Sequence, residues 1–251
     1  MSGHSKWASI KHKKGAADAK RGKLFSKLIK EIQVAARMGG SDQDGNARLR
    51  KAVSIAKGSQ MPNDTIDRAI KRGTGELEGV NYEEVLYEGT GPGGTLWLVA
   101  TLTDNRNRTV AELRKVFEKH TGAIGGGGSS AWAFNRKGIV VVPLAAADEE
   151  KLMELTMDAG AEDYSEEDER WQILSDVGEL DAVASALEEA NIPVESSTVG
   201  YVPKAKKPQQ GKDAERCLSL YETLDDHDDT QGAYADFDVS DEELARIMSD
   251  E

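Results

Sequence analysis

The sequence has few of the features that mark exported or membrane proteins. Its 251 residues contain a single cysteine, Cys217, which excludes an intramolecular disulfide and favours a reducing compartment. No stretch approaches the ~20 consecutive apolar residues that a membrane span needs, and the N-terminus has no apolar segment of a secretory signal. We therefore expect a cytoplasmic protein that neither spans nor binds a membrane.

The patterns of common catalytic and metal sites are missing as well. The glycine-rich residues 122–130 have neither a following Gly-Lys-Ser/Thr nor the strand and helix that flank a dinucleotide-binding turn. The acidic residues 225–229 lack the alternating spacing and terminal Glu of a calcium-binding loop. We expect no enzymatic activity, no cofactor, no metal and no small-molecule substrate. The alternative is an enzyme acting on a phosphorylated substrate near residues 104–108.

Charge is distributed very unevenly along the chain, whose net charge is −13. Residues 1–80 contain 17 basic and 8 acidic residues, a net charge of +9, whereas residues 81–251 contain 15 and 37, a net charge of −22. A basic segment on an acidic body indicates a polyanionic partner, which predicts a nucleic acid. The alternative is a solvated, solubilising end of a helix.

The predicted nucleic-acid contacts are basic residues of this half, with Trp7 and His12 as side chains that could stack on unpaired bases. No helix here carries Asn, Gln and Arg at a base-reading spacing, so sequence-specific readout is not expected. The predicted contacts are Lys6, Trp7, Lys11, His12, Lys13, Lys14, Lys20, Arg21, Lys23, Lys27, Lys30, Arg48, Arg50, Lys51, Lys71 and Arg72.

Residues 1–80 are predicted to form a basic helical domain. Apolar residues at helical spacing predict three amphipathic helices, which begin near residues 16, 46 and 63 and end at glycines 39, 58 and 73. Such helices can share one core as a three-helix bundle. The basic residues Arg48, Arg50 and Lys51 of the second helix are expected to point outward.

Residues 81–137 and 204–240 are predicted to form an α+β domain. Strands are expected at residues 82–88 and 95–103, and a strand at residues 230–237 could complete their sheet. Residues 122–130 are interpreted as a flexible connection to a strand at residues 131–134, and residues 204–212 as a linker. Cys217 falls on the apolar face of a predicted helix and is interpreted as a core residue.

A second candidate site lies where a helix is predicted to follow the strand at residues 95–103. Asp104 and Asn105 suit a helix N-cap, but two arginines in the first turn oppose the helix dipole. Either a bound phosphate or acids of the same chain could offset that repulsion. The residues of this second candidate site are Asp104, Asn105, Arg106, Asn107 and Arg108.

Residues 138–203 alternate strands and helices in the order βαββαβ, which is typical of a ferredoxin-like domain. Domains with this fold have many unrelated functions, so the fold does not identify the function of this domain. The acidic residues between 162 and 169 would repel a nucleic acid, and they could face water or a basic protein.

Several segments together resemble the YebC family of bacterial and organellar proteins. They are GHSKWASIKHKKGAADAKRGKLFSKL at 3–28, MPNDTIDRAIKRGTGE at 61–76, YEGTGPGG at 87–94, TDNRNRT at 103–109 and RKG at 136–138. Residues 122–130 depart from the family, which more often has an Asn-Leu-Gly turn there and fewer glycines.

The resemblance implies an α+β multidomain fold: a helical bundle, an α+β domain, and a ferredoxin-like domain inserted into the second. It implies a nucleic-acid-associated regulator of gene expression, of the kind labelled probable transcriptional regulators that bind DNA. The alternative that it implies is a factor associated with ribosomal RNA, which supports translation, including past proline-rich stretches.

Overall fold

The computed structural model describes residues 17–167 and 169–249, with side chains from residue 21 onward except that of residue 167. These ranges form a mixed α and β structure with two four-stranded antiparallel sheets and one short parallel strand pair. The α-helices are α1 (Ala17–Gly39), α2 (Ala47–Gly58), α3 (Asn63–Thr74), α4 (Arg106–Lys119), α5 (Glu149–Asp158), α6 (Leu180–Glu189), α7 (Gly211–Asp225) and α8 (Asp241–Ser249). The strands are β1 (Glu83–Thr90), β2 (Leu96–Thr103), β3 (Ala123–Ile124), β4 (Phe134–Pro143), β5 (Ala161–Glu167), β6 (Arg170–Ser175), β7 (Ser196–Pro203), β8 (Lys207–Pro208), β9 (Thr230–Ala235) and β10 (Phe237–Asp238).

Helices α1, α2 and α3 pack around one apolar core, as the spacing of their apolar residues predicts. Ile32 of α1 and Leu49 of α2 are fully buried in it. Asn46 begins α2 as its N-cap, because its side-chain oxygen accepts a hydrogen bond from the Leu49 backbone N–H at 3.1 Å. Gly73 allows α3 to approach α1 closely, since a Cβ at this position would lie only 2.4 Å from the backbone oxygen of Gln33.

The first sheet has the strand order β3-β1-β2-β9, and α4 and α7 cover it. Strand β9 pairs with β2 although β4 to β7 lie between them in the chain, so the prediction of a strand that completes this sheet is confirmed for residues 230–235, whereas Phe237 lies in β10, which pairs with β8. Trp97, Phe117 and Phe237 fill the core beneath the sheet. Cys217 is fully buried there, as predicted, and burial raises the pKa of its thiol to about 12.

The second sheet has the strand order β5-β6-β4-β7 and carries α5 and α6 on one face. Its elements follow the predicted order βαββαβ. Strand β4 is longer than predicted because it begins at Phe134, and its residues 134–141 pair with β7. The two sheets meet at the start of β4, where Phe134 packs with Leu98 of β2.

The structure differs from three predictions for the connecting segments. Residues 131–133 form a 3-10 turn rather than a strand, and β4 starts only after it. Residues 122–130 are more than a loose connection: they contain β3, which pairs with β1, and their backbone is bonded to Glu88. The segment predicted as a linker contains β8, which pairs with β10.

Candidate nucleic-acid interface

Three predicted contact residues of α1 form a row on one helix face. Lys23, Lys27 and Lys30 are spaced four and three residues apart, so their side chains point the same way. The row lies on residues 225–229, which begin at the last residue of α7 and which we call the acidic turn. Its carboxylates and backbone carbonyls accept hydrogen bonds from all three lysines.

The last lysine of the row makes the closest and most buried ion pair. Lys23 Nζ lies 3.3 Å from a carboxylate oxygen of Asp226, and Lys27 Nζ lies 3.7 Å from one of Asp225 and 2.5 Å from the Asp225 carbonyl oxygen. Lys30 Nζ lies 2.7 Å from Oδ1 of Asp229, and both side chains are largely buried. The negative end of the α7 dipole adds to this attraction. In this structure, these lysines therefore neutralise acids of their own chain.

Asp229 connects the helical bundle to the second candidate site. Its side chain is buried; Oδ1 accepts from Lys30, and Oδ2 lies 2.9 Å from Nη2 of Arg108 and 2.7 Å from the Thr109 hydroxyl. Burial alone would raise the pKa of Asp229, but these hydrogen bonds outweigh it and hold the pKa well below its usual value. Asp229 is therefore ionised throughout the neutral range.

The two arginines of the second candidate site form ion pairs with acids of the same chain, which is one of the two alternatives that the sequence leaves open. Arg106 pairs with Glu83 at 2.5 Å, and Arg108 pairs with both Asp104 at 2.8 Å and Asp229. Asn105 is the N-cap of α4, as predicted, and accepts a hydrogen bond from the Arg108 backbone N–H at 3.0 Å. These carboxylates offset the two cations at the positive end of the helix dipole. Asn107 is exposed.

Arg48 and Lys51 point away from the core of the bundle, as predicted, but they contact other parts of the chain. Arg48 Nε lies 2.6 Å from Glu31, and its Nη2 contacts Glu84 of β1. Lys51 donates to the Ser197 hydroxyl at 2.9 Å, and burial lowers its pKa. Both side chains face a cleft because other parts of the chain cover this side of α2. By contrast, Arg21, Arg50, Lys71 and Arg72 are exposed, as predicted.

The cleft has a volume of about 770 Å³ and separates the helical bundle from the two sheets. Charged side chains of both signs line it, including Arg48, Lys51, Arg136, Glu31, Glu84 and Asp181. Sequence reasoning missed the cleft because its walls come from distant segments. Its mixed charge is unlike the uniformly positive groove that a phosphate backbone requires.

Part of the predicted interface lies outside the described residues. These positions are Lys6, Trp7, Lys11, His12, Lys13 and Lys14, and the side chain of Lys20 is also outside them. Their assignment to nucleic-acid binding stays a prediction from the sequence.

Glu112, His227 and Asp229 bring three potential metal ligands together, with ligand atoms within 4.8 Å of one another. Each already has a protein partner. His227 Nε2 lies 3.1 Å from Glu112, and both oxygens of Asp229 are hydrogen-bonded to Lys30, Arg108 and Thr109. These contacts give the cluster a structural role in joining α1, α4 and the acidic turn.

A search of the described helices finds none with the length and apolar character needed to cross a membrane.

Two family models match almost the whole chain. Residues 5–76 match the TACO1/YebC protein N-terminal domain, and residues 82–237 match the TACO1/YebC second and third domain. The boundary between the matches falls in the segment between α3 and β1.

Relatives of similar length support the same assignment. A probable transcriptional regulatory protein of Geobacter sulfurreducens is 52% identical over 248 residues, which cover 99% of this chain and 100% of the relative. One of Desulforapulum autotrophicum is 53% identical over 242 residues, covering 96% and 98%. The crystal structure of a conserved hypothetical protein from Aquifex aeolicus has a TM-score of 0.84 and 42% identity, and the match covers 90% of this chain and 93% of that one. By these matches over nearly its full length, the chain belongs to the TACO1/YebC family.

Proposed function

We propose that this protein is a non-enzymatic, nucleic-acid-binding regulator of gene expression. The observation that carries the proposal is the separation of charge, with +9 on residues 1–80 and −22 on the remainder. Relatives named probable transcriptional regulatory proteins support it. Nucleic acid would contact the basic N-terminal residues together with the exposed cations of the bundle, while the acidic body repels it.

Two nucleic acids compete as the target within this proposal. The names of the relatives favour DNA and a role in transcription. The lysines around Trp7 and His12 favour RNA, because aromatic side chains stack on unpaired bases and RNA offers these in loops and bulges. A ribosome-associated role in translation is therefore the second candidate.

We also infer that residues 138–203 form a ferredoxin-like domain inserted into a domain made of residues 81–137 and 204–240. The strand order β5-β6-β4-β7 and the pairing of β2 with β9 support it. Because β4 pairs with β7 from Phe134 onward, we infer that the inserted domain begins a few residues before residue 138.

Salt dependence tests the proposed function. Binding of the full chain to ribosomal RNA fragments and to duplex DNA would be measured by fluorescence anisotropy between about 50 and 200 mM salt. With about six phosphate contacts we expect a loss of roughly 10³ in affinity over this range. Affinity that does not change with salt would contradict the proposal. Co-sedimentation with ribosomes, compared with binding to a DNA panel, decides between the two targets.

The acidic turn is expected to oppose nucleic-acid binding. Asp225→Asn with Asp226→Asn frees Lys23 and Lys27 from two carboxylates, so we expect affinity to rise about three- to tenfold at low salt, the range for exposed ion pairs. The matched control is Glu188→Gln with Glu189→Gln, two exposed acids on α6. Equal gains in both variants would indicate an effect of net charge alone. A loss of affinity in the first variant would contradict competition by the acidic turn.

A further inference from the structure

Trp132 is unusual among the tryptophans that the structure describes. Its side chain is 65% exposed, whereas Trp97 is fully buried and Trp171 is 7% exposed. Tryptophan is enriched at binding interfaces because it combines a large apolar ring with one polar N–H group, so a solvent-facing tryptophan on a well-packed segment is a candidate binding residue.

The segment that carries Trp132 is held in place on both sides. The indole Nε1 donates to the Ser129 carbonyl oxygen at 3.1 Å, which orients the ring. Ala133 and Phe134, the next two residues, are buried against Leu98 of the first sheet. The ring is therefore presented by a fixed backbone, and little conformational entropy is lost when a ligand stacks on it.

Glu88 provides the anchor on the N-terminal side. Its buried carboxylate accepts three backbone N–H bonds, from Gly128 at 2.7 Å, Ser130 at 2.6 Å and Ala131 at 2.7 Å. Burial alone would raise the pKa of Glu88, but these bonds outweigh it and the net pKa is lowered. The negative charge of Glu88 is thus directed at the loop backbone beneath Trp132.

The surroundings leave the ring open to a flat ligand. A Cβ added to Gly126, Gly127 or Gly128 would meet no atom within 4 Å, so these glycines border open space. The residues on either side of Trp132 are alanines, which are too small to cover an indole. Only Gly128, with a φ of +85°, needs glycine for its backbone conformation.

A cation contacts the backbone of Trp132. Lys204, which follows β7, donates from Nζ to the Trp132 carbonyl oxygen at 2.7 Å, and its backbone N–H bonds to Ala133 at 2.8 Å. Within the described residues no carboxylate forms an ion pair with Lys204, so its charge is available to an anion. An aromatic platform next to an uncompensated ammonium is the combination that binds a base and its phosphate in a single strand.

We propose that Trp132 and Lys204 form a second nucleic-acid contact, in which the indole stacks on an unpaired base and the ammonium binds the adjoining phosphate. The contact uses residues other than the basic N-terminal ones, and it rests on the proposed function in requiring that the protein binds nucleic acid. It makes single-stranded segments, rather than continuous duplex, the preferred ligand.

Tryptophan fluorescence tests the stacking directly. When Trp7 is replaced by Phe, Trp132 is the exposed tryptophan among the described residues. We expect oligouridylate to quench the fluorescence of Trp132. The quenching should disappear in Trp7→Phe with Trp132→Phe. In the otherwise unchanged protein, Trp132→Ala is expected to lower the affinity for oligouridylate about 5- to 100-fold, the range for the loss of one stacked base. Affinity for a duplex RNA of equal length should stay the same.

Control experiments distinguish a failure of this second contact from a failure of the proposed function. Met157→Ala shortens another exposed apolar side chain, on α5, and should leave both affinities unchanged. Binding of oligouridylate that is unaltered by Trp132→Ala, or quenching that survives without Trp132, overturns the second contact while the proposed function stands. Failure of the unmodified protein to bind any RNA or DNA overturns both. Unchanged thermal unfolding of Trp132→Ala shows that lost affinity is not lost folding.

Discussion

Asp229→Asn is expected to lower the free energy of unfolding by about 3 kcal/mol. The carboxylate is buried and bonded to Lys30, Arg108 and Thr109, and an amide would turn an N–H group toward these donors. Removing one partner of a buried ion pair costs about 3–5 kcal/mol. We take the lower end because Arg108 is 42% exposed and can regain water.

Urea denaturation followed by circular dichroism measures this effect. Asp228→Asn is the matched control, since it removes the same charge from the neighbouring residue, whose side chain is exposed. We expect the control to change stability by less than about 0.5 kcal/mol. A similar small change for Asp229→Asn would mean that the network adds little to the docking of α1.

The difference in the free energy of unfolding between wild type and Asp229→Asn should shrink as the pH falls. Because folding lowers the pKa of Asp229, its contribution is fully present above the unfolded pKa of about 3.9 and is lost as pH falls toward the folded pKa. Wild type and variant should therefore converge in stability only under strongly acidic conditions. Convergence near pH 7 would contradict the assigned interactions.

Charge reversal in the N-terminal segment is expected to have the largest effect on binding. Replacing Lys11, Lys13, Lys14 and Lys20 by Glu removes four phosphate contacts and adds repulsion, so we expect at least a ~10³-fold loss of affinity at about 0.1 M salt. The slope of log affinity against log salt should fall by about 3 units, close to 0.7–0.9 for each contact. Anisotropy with the preferred nucleic acid measures both quantities.

The control for this variant keeps the same change in net charge. It reverses four exposed lysines of α4, α5 and α7, namely Lys115, Lys119, Lys151 and Lys212. We expect it to weaken binding less than tenfold, through long-range repulsion that salt screens. Equal losses in the two variants would show that the N-terminal lysines are not the contact surface.

Local patterns were sufficient to predict most helices and strands. The apolar stretch of β2 predicted a central strand, and it lies between β1 and β9. Helical spacing predicted the burial of Cys217 on α7. Residues 131–134 were misjudged because a short apolar segment fits a strand and a 3-10 turn equally well.

The partners of the basic residues could not be predicted in the same way. Lys30 and Asp229 are separated by 199 positions, and a count of charges says nothing about which ones meet. The same limit applies to Glu88, whose role depends on the backbone of residues 128–131. For the second candidate site, the repulsion between two arginines and the positive end of the α4 dipole indicated that anions lie nearby. It did not indicate that the protein itself supplies these anions.

The pairing of β2 with β9 has a consequence for how the chain folds during synthesis. One edge of β2 has no partner until residues 230–235 leave the ribosome, because the whole second sheet is made in between. At 5–20 residues per second this delay lasts roughly 6–25 s. The carboxylate of Asp229 emerges at the same late stage, so the lysines of α1 carry uncompensated charge throughout that interval. A newly made chain therefore has its strongest attraction to ribosomal RNA early in synthesis, when the basic residues 1–80 have been made and most of the acidic residues have not.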